Sequence, residues 1–270
     1  MADTRAINFA DPINRGHPLN RGRVAWWLTL PGSVGGGTWR DITNNKNTGV
    51  LTAMGNSSNG FRTTNRPGGW GHMVFNGVAG RIDLGASQSL DIRPRGTMMA
   101  WCQTTSATTQ IIFETGSSSA NGTALYVGST GVAHFLFAAV LDNAASPSLG
   151  SGWNHIAGTW DGTTRRAFLN GVQWASDTPN VPILSTGSKM IGADPAGGNP
   201  FLGNIDDVSI WNRALTPAEI QQNYNLSQRG YPGVLNRLHW PMNFAAVAGG
   251  GNHFRRTNQF AKRTGCRQST

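Results

Sequence analysis

The chain has 270 residues, 38% of them hydrophobic, which is enough to fill one core with extensions but not two independent domains. Only 13% of residues are charged and 36 are glycine, a balance that suits many short strands joined by tight turns. The net charge of +9 sits at the ends: residues 1–23 carry +2, residues 229–270 carry +7, and the stretch between them is neutral. No apolar run approaches the roughly 18 residues that span a bilayer. Two cysteines, Cys102 and Cys266, give no disulfide framework.

Taken in order, Met1 to Ala10 lacks the apolar centre of a secretory signal, so the chain is expected to fold in a reducing cytoplasm. From Asp11 to Gly22 the arm is punctuated by Pro and Gly and reads as extended and irregular. Cys102 falls in a predicted strand as a buried small hydrophobe, and Cys266 reads as an exposed thiol. Trp153 to Trp160 alternates large and small side chains as a half-buried strand does, and Asp161-Gly162 supplies a tight turn. Arg166 to Leu169 forms the next strand and runs into Asn170-Gly171, a second hairpin signal. Gly203 to Trp211 alternates again. Thr216-Pro217-Ala218-Glu219 then has capping-box spacing, with Pro in the first helical position, and starts a short helix.

These residues resemble the laminin G-like jelly roll of the concanavalin A-like lectin and glucanase superfamily. The similarity is carried by Trp153-x-His155-x-Ala157-x-Thr159-Trp160-Asp161-Gly162, Leu169-Asn170-Gly171 and Ile205-Asp206-Asp207-Val208-x-Ile210-Trp211-Asn212-Arg213-Ala214-Leu215. Upstream, Phe75-Asn76-Gly77, Arg81 to Leu84 and Thr97 to Trp101 resemble further family strands, and Val24 to Leu51 stands where the opening strand and first loop belong. The resemblance implies an all-β, two-sheet antiparallel jelly-roll sandwich over residues 24–228, with one short helix. An N-terminal arm, 1–23, and a basic, aromatic-containing extension, 229–270, flank it.

The family includes glucanases, whose chemistry needs two carboxylates astride one bond. Here only Glu114 and Glu219 are glutamates; Glu219 reads as a helix cap and Glu114 stands alone, so the chain is not expected to be an enzyme. The six histidines show no metal-ligand spacing. Calcium is the one cofactor the resemblance implies. Asp206 and Asp41 would supply its carboxylates and Asn44 and Asn45 would assist, whereas Lys46 in the same loop opposes a cation. The alternative role for Asp206 is to accept backbone amides at its strand end.

Sugar rings stack on exposed aromatics, and Trp39, Trp70 and Trp174 fall outside the clearest strand positions, so these are the candidate glycan contacts. The C-terminal extension interleaves Arg237, Trp240, Phe244, Phe254, Arg255, Arg256, Phe260 and Arg263, a pattern suited to docking on an acidic partner. The leading expectation is a non-catalytic structural protein of a virus particle, such as a phage capsid-decoration, head-fibre or tail-associated protein. It would be made in the host cytoplasm, dock through its ends onto other virion proteins or copies of itself, and display a lectin-like sandwich. The alternative is a stand-alone carbohydrate-binding module, calcium-dependent if the Asp206 site is real. Nucleic-acid binding by the basic extension ranks below both, and a membrane role is not expected.

Overall fold

A computed structural model describes residues 12–43, 45–54, 60–63, 66–69, 71–92, 95–116, 122–137, 146–179 and 187–236. The chain divides into two units, Met1–Leu238 and His239–Thr270, and all the described residues belong to the first.

Sixteen strands form among these residues. In chain order they are β1 (Arg23–Trp27), β2 (Val34–Gly35), β3 (Thr38–Trp39), β4 (Gly49–Thr52), β5 (Gly60–Thr63), β6 (Gly71–Asn76), β7 (Arg81–Asp83) and β8 (Gly96–Gln103). There follow β9 (Gln110–Thr115), β10 (Thr123–Val127), β11 (Ala133–Phe137), β12 (Asn154–Trp160), β13 (Arg165–Leu169), β14 (Val172–Asp177), β15 (Lys189–Ile191) and β16 (Leu202–Trp211). The first sheet runs β14-β13-β12-β8-β16-β6-β5 with β1 also on β16; the second runs β11-β10-β9-β15-β7-β4-β3-β2. All the pairings are antiparallel, as a jelly roll requires.

The local signals explain much of this. Asn170 and Gly171 take φ of 51° and 81°, the paired positive values of a type I′ turn, and β13 folds back as β14 there. Thr216 accepts a hydrogen bond from the Glu219 amide while the Glu219 carboxylate accepts one from the Thr216 amide, and this capping box opens helix α1 (Pro217–Ser227). Strand β16 serves two neighbours: its first half pairs with β6, a bulge falls at Asp207 (φ 57°), and its second half pairs with β1.

Between the sheets lies one core in which Trp27, Phe113, Phe135, Trp160, Ile205 and Ile210 are all sealed from solvent. Cys102 is part of it, and burial pushes its thiol pKa up to about 12, which makes it the inert hydrophobe that its strand position predicted. The outward face of the first sheet is covered too. Helix α1 sets Ile220, with Leu215 before it, on Met99, Ala157, Phe168 and Trp211. Beside it, Ile13 and Leu19 of the N-terminal arm meet Tyr231, Val234 and Leu235 over Trp26.

The described part of the arm is therefore packed rather than free. It holds a 3₁₀ turn at Pro18–Asn20, and Trp211 Nε1 donates to the Leu19 carbonyl at 2.8 Å. Residues 229–236 likewise fold onto the sandwich, past the boundary at 228 that the sequence suggested. The Arg23 guanidinium lies 3.7 Å from the Trp26 ring centroid and 4.3 Å from that of Trp211, and burial lowers its pKa to about 10.

Candidate functional site

The second sheet carries a pocket on its outward face where β10 turns into β11. Gly128 donates to the Val132 carbonyl at 2.8 Å and closes that turn. The resulting register sets Tyr126 directly opposite His134. Alternation sends Leu125, Val127, Phe135 and Phe137 to the core, and Ala124, Tyr126, His134 and Leu136 to the other face. The Tyr126 and His134 rings stack with centroids 4.8 Å apart and planes within 17°. With Ile111 from β9 they floor a cavity of about 340 Å³.

Its rim is hydroxylic: Thr109, Ser129 and Thr130, with the Asn199 amide. Asn199 is fixed at φ 47° by a hydrogen bond from Nδ2 to Asp194 and by its carbonyl, which accepts from the Ile111 amide at 3.0 Å. Among the described residues no carboxylate and no Lys or Arg lines this pocket. An aromatic pair beside hydroxyls and an amide, without fixed charge, suits a neutral ligand with one apolar face and many hydroxyls.

The glutamates do not converge. Glu219 caps α1 and takes both terminal nitrogens of Arg213 at 3.0 and 2.8 Å. Glu114 is 1% exposed within β9, opposite Ala124 and Met190. The two glutamates therefore do not form a two-carboxylate site of the glycosidase kind.

Asp206 and Asp41 are both buried but share no hydrogen-bond partner among the described residues. Asp41 fixes the loop after β1 by accepting from the backbone amides of Trp26, Thr43 and Asn47 at 2.8 to 3.1 Å. Asn45 turns its amide to the Val24 carbonyl, and Asn44 lies outside the described residues. Asp206 accepts from the amide and hydroxyl of Thr29 and, at 2.7 Å, from Arg66 Nε. The Arg66 guanidinium also lies 3.6 Å from Asp207, and these two carboxylates outweigh burial and raise its pKa.

Calcium wants several oxygen ligands, but here N–H and O–H donors fill the carboxylates and Arg66 supplies the positive charge. No group of three His, Cys, Asp or Glu side chains able to hold a metal exists among the described residues. The residues present do not fit a calcium site, which corrects the expectation for Asp206 and Asp41.

The same cluster ties down the chain beyond the helix. Asp207 accepts from Trp26 Nε1 and from the Tyr231 hydroxyl, each at 2.6 Å, and burial raises its pKa to about 6. On the same face His155 is fully buried against the stacked rings of Trp101 and Tyr224. Neither ring nitrogen has a hydrogen-bond partner, and burial, aided by the Arg66 charge, pushes its pKa down to about 3.

The predicted glycan contacts fare unevenly. Trp39 is wholly buried in the core beside Trp27, so it cannot meet a sugar: β3 is a two-residue strand that turns it inward. Trp174 is half-buried against the core on the edge strand β14, away from the pocket. Trp153, which opens the predicted alternating stretch, lies half-buried against His72, with ring centroids 5.5 Å apart. Trp70 lies outside the described residues. So do Arg237, Trp240, Phe244, Phe254, Arg255, Arg256, Phe260 and Arg263. Tyr126 and His134 escaped the sequence reading, although both stand equally far from the Gly128 to Val132 turn and a hairpin would have to pair them.

Two stacked antiparallel sheets and one short capped helix define a lectin-like sandwich. The chain belongs to the concanavalin A-like lectin/glucanases superfamily, whose model matches residues 75–221, more than half its length. Human neuronal pentraxin-1 is 31% identical over 112 residues, a match covering 36% of this chain and 25% of the pentraxin. Among solved structures, domain 4 of AbnA, an extracellular arabinanase of Geobacillus stearothermophilus, seen with arabinotriose, superposes with TM-score 0.55. It is 20% identical, and the match covers 74% of this chain and 97% of that one. Trypanosoma rangeli sialidase with sialic acid gives TM-score 0.57 at 15% identity, covering 76% of this chain and 33% of the sialidase. At these identities the structural matches show the fold. The chain spans a quarter of the pentraxin and a third of the sialidase.

Proposed function

We propose that this chain is a non-catalytic glycan-binding module whose pocket at Tyr126 and His134 takes a neutral saccharide. The observation that carries this reading is the stacked Tyr126–His134 pair under a rim of hydroxyls and one amide, in a cavity with no carboxylate, Lys or Arg among its described lining residues. A volume of about 340 Å³ is at the small end of ligand pockets and suits one or two sugar units. The arabinotriose held by the similarly folded arabinanase domain supports a neutral oligosaccharide as ligand. The test is a glycan array followed by titration calorimetry, with and without chelator. Saturable binding that resists chelator and falls at least tenfold in Tyr126→Ala and His134→Ala supports the reading. Silence across neutral glycans, or binding untouched by both substitutions, overturns it.

A second observation bears on where such a module works: all the net positive charge lies outside the neutral central stretch. A basic, aromatic-bearing extension suits docking on an acidic assembly, and a virus particle or an oligomer of this chain is the setting we propose. Co-sedimentation of the full chain with such particles, lost on replacing Arg255, Arg256 and Arg263 by glutamate, supports it; unchanged sedimentation removes it.

A further inference from the structure

Among the described residues the first sheet has an uncovered end. Helix α1 and the terminal segments cover its outward face over Met99, Trp101, Asp206 and Trp211, but the ends of β6, β8 and β16 stay open. There Asn204 faces Gln103 on one side and Val74 on the other, and Leu202 faces Asn76. These side chains floor a groove of about 600 Å³.

Its polar groups are held in place. Asn204 Nδ2 donates to Gln103 Oε1 at 3.0 Å, Gln103 Nε2 donates to the Ser151 carbonyl at 3.1 Å, and Asn76 Oδ1 accepts from the Val78 amide at 3.2 Å. Asn204 Oδ1 and Asn76 Nδ2 keep no partner among the described residues, which leaves an acceptor and a donor on one floor. Between the amides lies Leu202, 48% exposed, an apolar surface flanked by fixed hydrogen-bonding groups. Among the described residues no ionisable side chain lines the groove. A charged ligand would find no counter-charge, and a purely apolar one would leave the amides unpaired.

We infer that this groove is a second glycan site, taking a neutral oligosaccharide of two or three units through the amides of Asn76, Gln103 and Asn204, with Leu202 under the ring faces. The inference rests on the glycan reading given above, but the site is separate: the groove lies on the first sheet and the pocket on the second. They share only a rim. Thr104 and Thr105 wall the groove while Thr109 lines the pocket, and buried Gln110 stitches the segment between by accepting from the Leu202 amide at 2.7 Å and donating to the Ser106 carbonyl at 3.2 Å. Two sites make the chain bivalent, so its avidity for a polysaccharide exceeds its affinity for a trisaccharide by about 10²-fold or more when both engage one polymer.

Side-chain amide signals of the full-length ¹⁵N-labelled protein test this, with cellotriose, maltotriose and arabinotriose as probes at millimolar concentration. At least one trisaccharide is expected to shift the Asn76, Gln103 and Asn204 signals, and to keep shifting them in Tyr126→Ala. The double variant Gln103→Ala, Asn204→Ala should lose the Asn76 response, retain the response around Tyr126, and lower the calorimetric stoichiometry from two to one. The inference is overturned if the pocket responds while the three amides stay still, or if the groove response disappears in Tyr126→Ala. Silence at both places removes the glycan reading of the pocket as well.

Discussion

Replacing His155 by Phe should make the protein more stable at pH 7 and change how it responds to acid. His155 packs edge-on to Trp101 and tilted against Tyr224 with both ring nitrogens unpartnered, so at neutral pH the imidazole contributes packing but no hydrogen bond. A phenyl ring keeps the packing and removes two desolvated polar atoms, each of which costs about 1–3 kcal/mol when left unsatisfied. In acid the two proteins diverge. The folded pKa is about 3 and the ordinary value is 6.5. Between these values the unfolded chain binds a proton that the folded chain refuses, and stability falls by about 1.4 kcal/mol per pH unit as pH drops. From pH 7 to pH 5 this amounts to about 2 kcal/mol. Asp207 works in the opposite sense: its raised pKa of about 6 means the folded state takes up a proton first, so stability rises as pH falls below 6. The two trends offset in the natural protein. In His155→Phe the Asp207 trend is no longer opposed by His155, and the variant should lose less stability on acidification than the natural protein. Urea unfolding of both proteins at pH 7 and pH 5 isolates the His155 contribution, because all other groups cancel in the difference. A change in that difference below about 0.5 kcal/mol, or one favouring the natural protein in acid, would refute the reasoning.

Arg66→Leu leaves Asp206 and Asp207 buried without their cation and should cost about 3–5 kcal/mol in urea unfolding at pH 7. Millimolar calcium should leave the melting temperature of the natural protein unchanged, whereas a site filled at a hundredfold its Kd would add about 2.7 kcal/mol; a calcium-dependent rise in thermal scans would restore the metal site rejected above. Thr216→Ala removes the acceptor for the Glu219 amide and should destabilise by about 1 kcal/mol, read from the urea midpoint. Gly171→Ala places a Cβ at φ 81° and 2.8 Å from the Gln221 side-chain amide, so a loss of about 1–2 kcal/mol is expected by the same measurement.

What the sequence made legible was local. Asn170-Gly171 and the Thr216–Glu219 box each dictate a backbone conformation within four residues, and the structure contains both. Trp39 falls outside the legible strands because a two-residue strand offers no alternation. Its inward direction comes from pairing with β4. Arg66 was invisible as a partner of Asp206 because 140 residues separate them and nothing in a neutral central stretch singles out one of its bases. Adjacent buried acids do demand a counter-charge, and that demand was the one signal available. Tyr126 and His134 needed only the hairpin, but a turn of Gly128-Ser129-Thr130-Gly131 lacks the strong dipeptide signal of the other two.

The placement of the ion cluster separates stability from recognition. Arg66, Asp206 and Asp207 lie beneath Trp26, Tyr231 and the helix, where exchanging a partner alters how the terminal segments hold to the first sheet. Tyr126 and His134 stand half-exposed on the other sheet and touch none of these groups. Mutations that far apart without a shared partner should act independently. Tyr231→Phe, which removes the hydroxyl that donates to Asp207, should therefore lower stability by about 1–2 kcal/mol and leave glycan affinity within a factor of two. Tyr126→Ala should do the reverse, losing affinity with less than about 1 kcal/mol of stability. Measuring unfolding and glycan titration on both variants decides the matter: a Tyr231→Phe protein that stays folded yet binds tenfold more weakly would mean the cluster reaches across the sandwich to the site.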